Sequence, residues 1–115
     1  LEDAQRAMSL LRERSATYEI DPDRIGVIGF SAGAHLATAL SNAEGVAYAP
    51  VDVADAQPWR PDYAIVLYLG RSLARRNPGM DLSLGPWMKI SADAPPTLLI
   101  HAMNDSANDV RHSMA

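Results

Sequence analysis

Apolar and polar residues alternate along this 115-residue chain in blocks that change period. Residues 3–18 carry Ala4, Ala7, Met8, Leu11 and Ser15 on one helical stripe, with Arg6, Arg12, Glu13 and Arg14 mostly off it. Asp3 suits the positive end of such a helix. Asp21-Pro22-Asp23 then stops it, because Pro22 disfavours helix at the preceding residue. Arg24 to Phe30 holds Ile25, Val27, Ile28 and Phe30, a short run rich in branched residues. It predicts a strand buried on both faces, as in a parallel sheet. Gly33 to Asn42, rich in Ala and Leu, predicts the next helix.

The second half repeats the theme more loosely. Residues 43–62 contain Gly45, Pro50, Pro58 and Pro61 and predict an irregular excursion. Asp62 to Leu69 predicts a second buried strand. Residues 70–94, with Gly70, Pro78, Gly79, Gly85 and Pro86, predict a long loop holding at most one short helix. Thr97 to Ala102 predicts a third strand, and Asn104 to Ala115 a turn followed by a helix. Three apolar strands separated by crossovers imply an α/β fold with a parallel sheet, flanking helices and right-handed connections. Ligands bind such sheets beyond the carboxyl ends of the strands, so the chemistry is sought there.

The turn after the first strand reads Gly29-Phe30-Ser31-Ala32-Gly33. This G-x-S-x-G pattern, set between a strand and a helix, is a nucleophile elbow. A sharp turn lifts the Ser31 hydroxyl clear of the sheet. Gly29 and Gly33 are expected where a Cβ would collide across the turn. The helix then aims its free N–H groups at the same point, with the Ala32 N–H placed to hold an oxyanion. The bland alternative is a Gly-rich turn whose Ser merely caps the helix.

Composition narrows the partners. A net charge of -4 argues against nucleic acid, and Arg71, Arg75 and Arg76, the one small basic cluster, read as a solvated surface. With no cysteine there is no disulfide, thiolate metal site or Cys nucleophile, and any compartment remains open. No apolar run approaches the roughly 20 residues of a membrane helix.

The segment IGVIGFSAGAHLA, preceded by DAQRAMSLLRERSATYEIDPDRI and followed later by ADAPPTLLIHAMND, resembles the carbohydrate and small-molecule esterases of the α/β-hydrolase fold. These include acetylxylan-esterase-like and dienelactone-hydrolase-related enzymes. The resemblance runs from Asp3 to about Ser113 and is weakest from Arg71 to Ile90. Ala34 departs from it, standing where a glycine is common. It implies a serine esterase needing no metal or organic cofactor, acting on short acyl groups such as acetate carried by sugars or small alcohols. The candidate partner is thus a small-molecule ester or an acylated sugar. Tyr48, Trp59, Tyr68, Trp87 and Met88 are the candidates for choosing it, although aromatic bulk more often fills cores. Tyr68, inside the second strand, reads as the most structural of them.

In this fold the triad runs Ser, then Asp or Glu, then His. Asp105, in the turn after the third strand, matches the acid position of the resemblance, and Asp109 is its rival. Without a catalytic role Asp105 would be a turn or N-cap aspartate. None of the three histidines matches the base. His35 resembles a residue that packs and hydrogen-bonds beneath the elbow, His101 resembles a structural position within the third strand, and His112 follows Asp105 too closely. The expectation is that residues 1–115 are the central part of one α/β-hydrolase domain. Its early strands, second oxyanion donor and His-bearing segment would lie outside the chain. Alone it should turn over negligibly, since removing a triad base costs about a million-fold. A lone three-strand sheet also exposes two edges and invites association into a homo-oligomer. A non-catalytic binding or scaffold domain that keeps the elbow, and a peptidase or thioesterase on the same fold, are the competing functions.

Overall fold

The computed structural model describes residues 1–74 and 80–115. Arg75, Arg76, Pro78 and Gly79, named above for charge or for turns, lie outside the described residues. Among the described residues the order is α1 (Glu2–Glu13), α2 (Ser15–Tyr18), β1 (Val27–Phe30), α3 (Ala32–Asn42), a 3-10 turn (Val53–Ala56), β2 (Ala64–Leu67), β3 (Thr97–Ile100) and α4 (Arg111–Met114). The first predicted helix is therefore two, broken at Arg14 (φ -98°, ψ 15°) and ended by Glu19 in the left-handed region. Each strand is shorter than its apolar run. No helix among the described residues falls in 70–94, where Leu73 and Leu84 form an isolated antiparallel bridge.

The strands form one parallel sheet in the order β1-β2-β3. Val27, Ala64 and Thr97 share one register row, and Gly29, Val66 and Leu99 another, on the same face. There α3 packs, and Ala34, Ala37, Ala64, Val66 and Leu69 make the core with Val27 against it. Alanines at this contact let the helix backbone sit close to the sheet. The other face carries the rows Ile28–Ile65–Leu98 and Phe30–Leu67–Ile100. Of these, Ile28, Phe30, Leu98 and Ile100 are exposed. The expectation of strands buried on both faces is thus corrected: α3 covers one face only, and only at β1 and β2, since Leu99 on that same face is exposed. An apolar strand predicts which surfaces want cover, not whether this stretch of chain supplies it.

The expected stripe on α1 is also corrected. Ala7 and Leu11 are exposed, whereas Gln5, Met8, Ser9 and Arg12 are buried. The physical reason is the surface this helix meets. It lies against the irregular segment 43–62, whose backbone groups need partners. Gln5 donates to the Gly45 carbonyl (2.8 Å) and accepts from the Ala47 N–H (2.8 Å). Ser9 donates to the Gln57 carbonyl (3.2 Å). Arg12 donates to the carbonyls of Pro22, Pro58 and Arg60 and to the Asp62 carboxylate. Asp62 in turn accepts from the Ile25 N–H (2.8 Å), so this cluster fixes where the chain enters β1. Arg6 adds an ion pair to Asp52 (2.7 Å) and Asp55 (2.5 Å). The Asp55 carboxyl is held well below its usual range, first by the Tyr48 hydroxyl and then by backbone N–H groups. A polar face aimed at a loop has no periodic apolar signature.

Candidate active site

A sharp strand–helix turn lies at Ser31. Ser31 lies between β1 and α3 at φ 51° and ψ -113°, a backbone conformation that L-residues hold only when surrounding structure forces it. Two hydrogen bonds do the forcing. The Ser31 N–H donates to the Leu67 carbonyl on β2 (3.2 Å), and the Ser31 carbonyl accepts from the His35 N–H (3.2 Å), opening α3. The side chain is exposed and makes no capping hydrogen bond to the helix. A serine retained as a cap would make one. Helix geometry leaves the first N–H groups of α3, including that of Ala32, without intrahelical partners beside this hydroxyl.

Gly29 is the residue that permits this turn. A Cβ there would stand 2.3 Å from the Gly33 carbonyl oxygen and 2.8 Å from the Ala34 Cα. Gly33 is different, and the expectation for it is corrected: a Cβ there meets nothing within 4 Å. The turn brings the backbone of Gly33 down onto Gly29 and leaves the Gly33 α-carbon facing outward. One close approach needs one glycine.

Asp105 stands in the turn beyond β3. Its Oδ1 accepts from the N–H groups of Ala107 (2.8 Å) and Asn108 (2.9 Å). These bonds, Asn108 first, hold the carboxyl below its ordinary value, with attraction from His101 adding to them. Asp109, the rival, is committed elsewhere: its carboxylate accepts from the Arg111 guanidinium and backbone N–H. Asp105 lies on the wall of an open cleft of about 950 Å³. Among the described residues, the wall also includes Arg71, Trp87, Ser106, Asp109 and His112, but not Ser31.

The histidines have separate settings. His101 lies one residue past β3, not within it. Its side chain is 3% exposed, with Nε2 2.9 Å from the Asn108 carbonyl and 3.4 Å from the Asp105 carboxylate, and Nδ1 2.8 Å from Ser113 Oγ. His112 is buried, and its Nδ1 accepts from the Leu73 N–H (3.2 Å) near Ser72 Oγ (3.2 Å). It therefore staples the segment after β2 to α4. His35 has a buried Nδ1 with no hydrogen-bond partner among the described residues, so the hydrogen bonding expected of it is not made there through that atom.

Of the five substrate-choosing candidates, Trp87 alone lines the cleft, its indole N–H donating to the Arg71 carbonyl (2.7 Å). Tyr68 is corrected: it lies beyond β2 in the left-handed region (φ 40°), 38% exposed beside Phe30. Tyr48 binds Asp55, Met88 is buried, and the Trp59 ring lies under the Arg60 guanidinium. Sequence reasoning missed Arg71 as a cleft residue and the bond from His101 to the turn that carries Asp105. The adjacency of His101 to that turn was the available signal. Among the described residues no cluster of His, Asp or Glu could hold a metal ion, and no helix is long and apolar enough to cross a membrane.

Comparison with known proteins bears on the fold. The BD-FAE family model matches residues 1–55. Esterase LipQ of Mycobacterium tuberculosis is 32% identical over 90% of this chain, which spans 30% of that protein. The crystal structure of an acetyl ester-xyloside bifunctional hydrolase from Caldicellulosiruptor lactoaceticus is 33% identical, with a TM-score of 0.75 over 97% of this chain and 47% of its own. MGS-M1, an alpha/beta hydrolase enzyme from a Medee basin deep-sea metagenome library, is 28% identical, with a TM-score of 0.70 over 97% of this chain and 39% of its own. The chain thus spans less than half the length of these relatives. The parallel sheet and these likenesses together show that the chain carries part of the α/β-hydrolase fold.

Proposed function

We propose that the protein is a serine carboxylic-ester hydrolase that removes short acyl groups, acetyl above all, from carbohydrates or small alcohols. The observation that carries this is the backbone of Ser31 (φ 51°, ψ -113°), which presents an uncapped, exposed hydroxyl beside the first N–H groups of a helix. Ser31 Oγ attacks the ester carbonyl carbon while a base takes its proton. The resulting oxyanion is held by the Ala32 N–H. The tetrahedral intermediate collapses, the alcohol leaves with the proton, and an acyl-enzyme remains. Water, activated by the same base, releases the acid and restores Ser31. Asp105 orients the base and stabilises its charged form.

The base and the second oxyanion donor belong, in this reading, to parts of the domain beyond these 115 residues, of which residues 1–115 form the centre. The partial coverage of the relatives supports that placement. Acetyl esters are favoured because a relative at 33% identity is named for acting on one. The test is a fluorophosphonate probe on the protein expressed from its complete reading frame. Labelling at Ser31, absent in Ser31→Ala, is expected, with ester turnover in that variant lower by about a million-fold. An unlabelled protein would sink the enzyme reading. It would instead favour a non-catalytic scaffold, which draws on one observation: His101 and His112 are both bound to groups other than Ser31. Turnover of acetyl esters compared with peptides and acyl thioesters tests the reaction class.

A further inference from the structure

We propose that His101 is a positioning residue for Asp105, setting the direction in which the acid presents its carboxylate; this rests on the reading of Asp105 as the triad acid. The argument begins with donors and acceptors. The Asn108 carbonyl can only accept, so at 2.9 Å the His101 Nε2 carries the proton between them. In the neutral ring Nδ1 then accepts from the Ser113 hydroxyl (2.8 Å). Both nitrogens are used, and the side chain is 3% exposed, so the ring has one orientation.

That orientation is passed to the acid by two routes. The first runs through the backbone. His101 holds the Asn108 carbonyl, and the N–H of Asn108 holds Asp105 Oδ1 (2.9 Å). The second is direct: Nε2 lies 3.4 Å from Oδ2, the oxygen that takes neither turn N–H, and attracts it. A carboxylate pinned by one oxygen alone can swing the other. Here the second oxygen has the Nε2 edge of the ring beside it. His101 follows directly on β3, so the sheet itself sets the position of the acid. The Asn108 side chain completes the seat by resting over Gly70 beyond β2, where a Cβ would stand 2.4 Å from its Oδ1. The other charged or titratable side chains of the cleft wall are Arg71, Asp109 and His112, and Asp109 is engaged by Arg111.

The test uses the protein from its complete reading frame, with p-nitrophenyl acetate as the probe ester. His101→Asn keeps a polar group near Ser113 but loses the donor to Asn108. His101→Gln restores a donor near the Nε2 position. Displacements of about 1 Å in a triad cost on the order of 100-fold. His101→Asn is therefore expected to lower kcat by about 10- to 100-fold with KM within about twofold, and His101→Gln to recover most of it. The acidic limb of kcat/KM should move to lower pH in His101→Asn, in the same direction as in Asp105→Asn, because the base no longer faces a carboxylate placed to favour its protonated form. In the Asp105→Asn background, His101→Asn should cost nothing further. Ser113→Ala, which removes only the Nδ1 partner, should give a smaller fall in kcat with the same direction of limb shift. It serves if the His101 variants do not fold. An equal loss from His101→Asn with and without Asp105, or a loss with an unmoved limb, would overturn the positioning role. So would an unchanged kcat in His101→Asn while Asp105→Asn collapses. If Asp105→Asn itself stays active, it is the acid assignment that fails, and the two failures are told apart.

Discussion

The turns after β1 and β3, which carry the proposed nucleophile and the proposed acid, are held beyond the sheet by opposite means. The Ser31 turn is set by backbone. One glycine admits a close approach, two main-chain hydrogen bonds fix the ends, and no side chain of the turn is used. The Asp105 turn is set by side chains: the carboxylate binds its own backbone, His101 binds the far side of the turn, and Asn108 lies over Gly70. A backbone device tolerates no added volume but is indifferent to pH. A side-chain device tolerates volume, but loses function when one polar atom is changed.

The largest expected effect breaks the backbone device. Gly29→Val sets a Cβ 2.3 Å from the Gly33 carbonyl oxygen, and the obstacle is main chain that cannot rotate away. Overpacking of this kind costs about 1–3 kcal/mol, and here the relief available is to open the turn. Loss of fluorophosphonate labelling and of ester turnover, with a lower thermal midpoint, is expected. A folded variant that still labels Ser31 would show that the approach is not a constraint. Next comes Asp105→Asn, which keeps shape and removes charge. Turnover should fall by about 10,000-fold, as for the acid of a comparable triad, with the thermal midpoint nearly kept. A fall under tenfold would move the acid role elsewhere.

The same contrast explains what was legible in the sequence. The elbow could be read because its cause is glycine spacing between a strand pattern and a helix pattern, all of it local. The parallel order could be read because crossovers leave few alternatives. Gly33 was misread because the motif fixes both glycines while the geometry requires one. Asp105 could be proposed only by position, since Asp21, Asp52, Asp55, Asp81 and Asp109 also accept backbone N–H groups in comparable turns. The partners of His101 and the polar face of α1 lay out of reach. They are set by where loops bring carbonyl groups, and a loop carbonyl is present at every residue.

Gly33→Ala sharpens the comparison within a single motif. The position is helical and a Cβ there meets nothing within 4 Å. Replacing glycine by alanine inside a helix gains roughly 0.5–1 kcal/mol. The thermal midpoint should therefore rise slightly and labelling of Ser31 should persist. Destabilisation comparable to that of Gly29→Val would mean that the elbow needs both glycines and that the asymmetry seen here is wrong.

The smallest effect follows from charge. The Asp105 carboxyl lies below its ordinary value because two backbone N–H groups bind its ionised form. A depressed value in the fold means that this group's contribution is complete above the unfolded value, about 4, and is lost as pH falls through the folded value below it. Amide proton shifts of Ala107 and Asn108 should thus titrate together with a midpoint below the ordinary aspartate value, and Asp105→Asn should abolish that titration. The Ser31 amide, whose partner is the Leu67 carbonyl, should not move over the same range. A Ser31 amide titrating in step with Ala107 and Asn108 would mean that protonation loosens the sheet as a whole. The two turns would then not be independently built, and the distinction between a backbone device and a side-chain device would collapse.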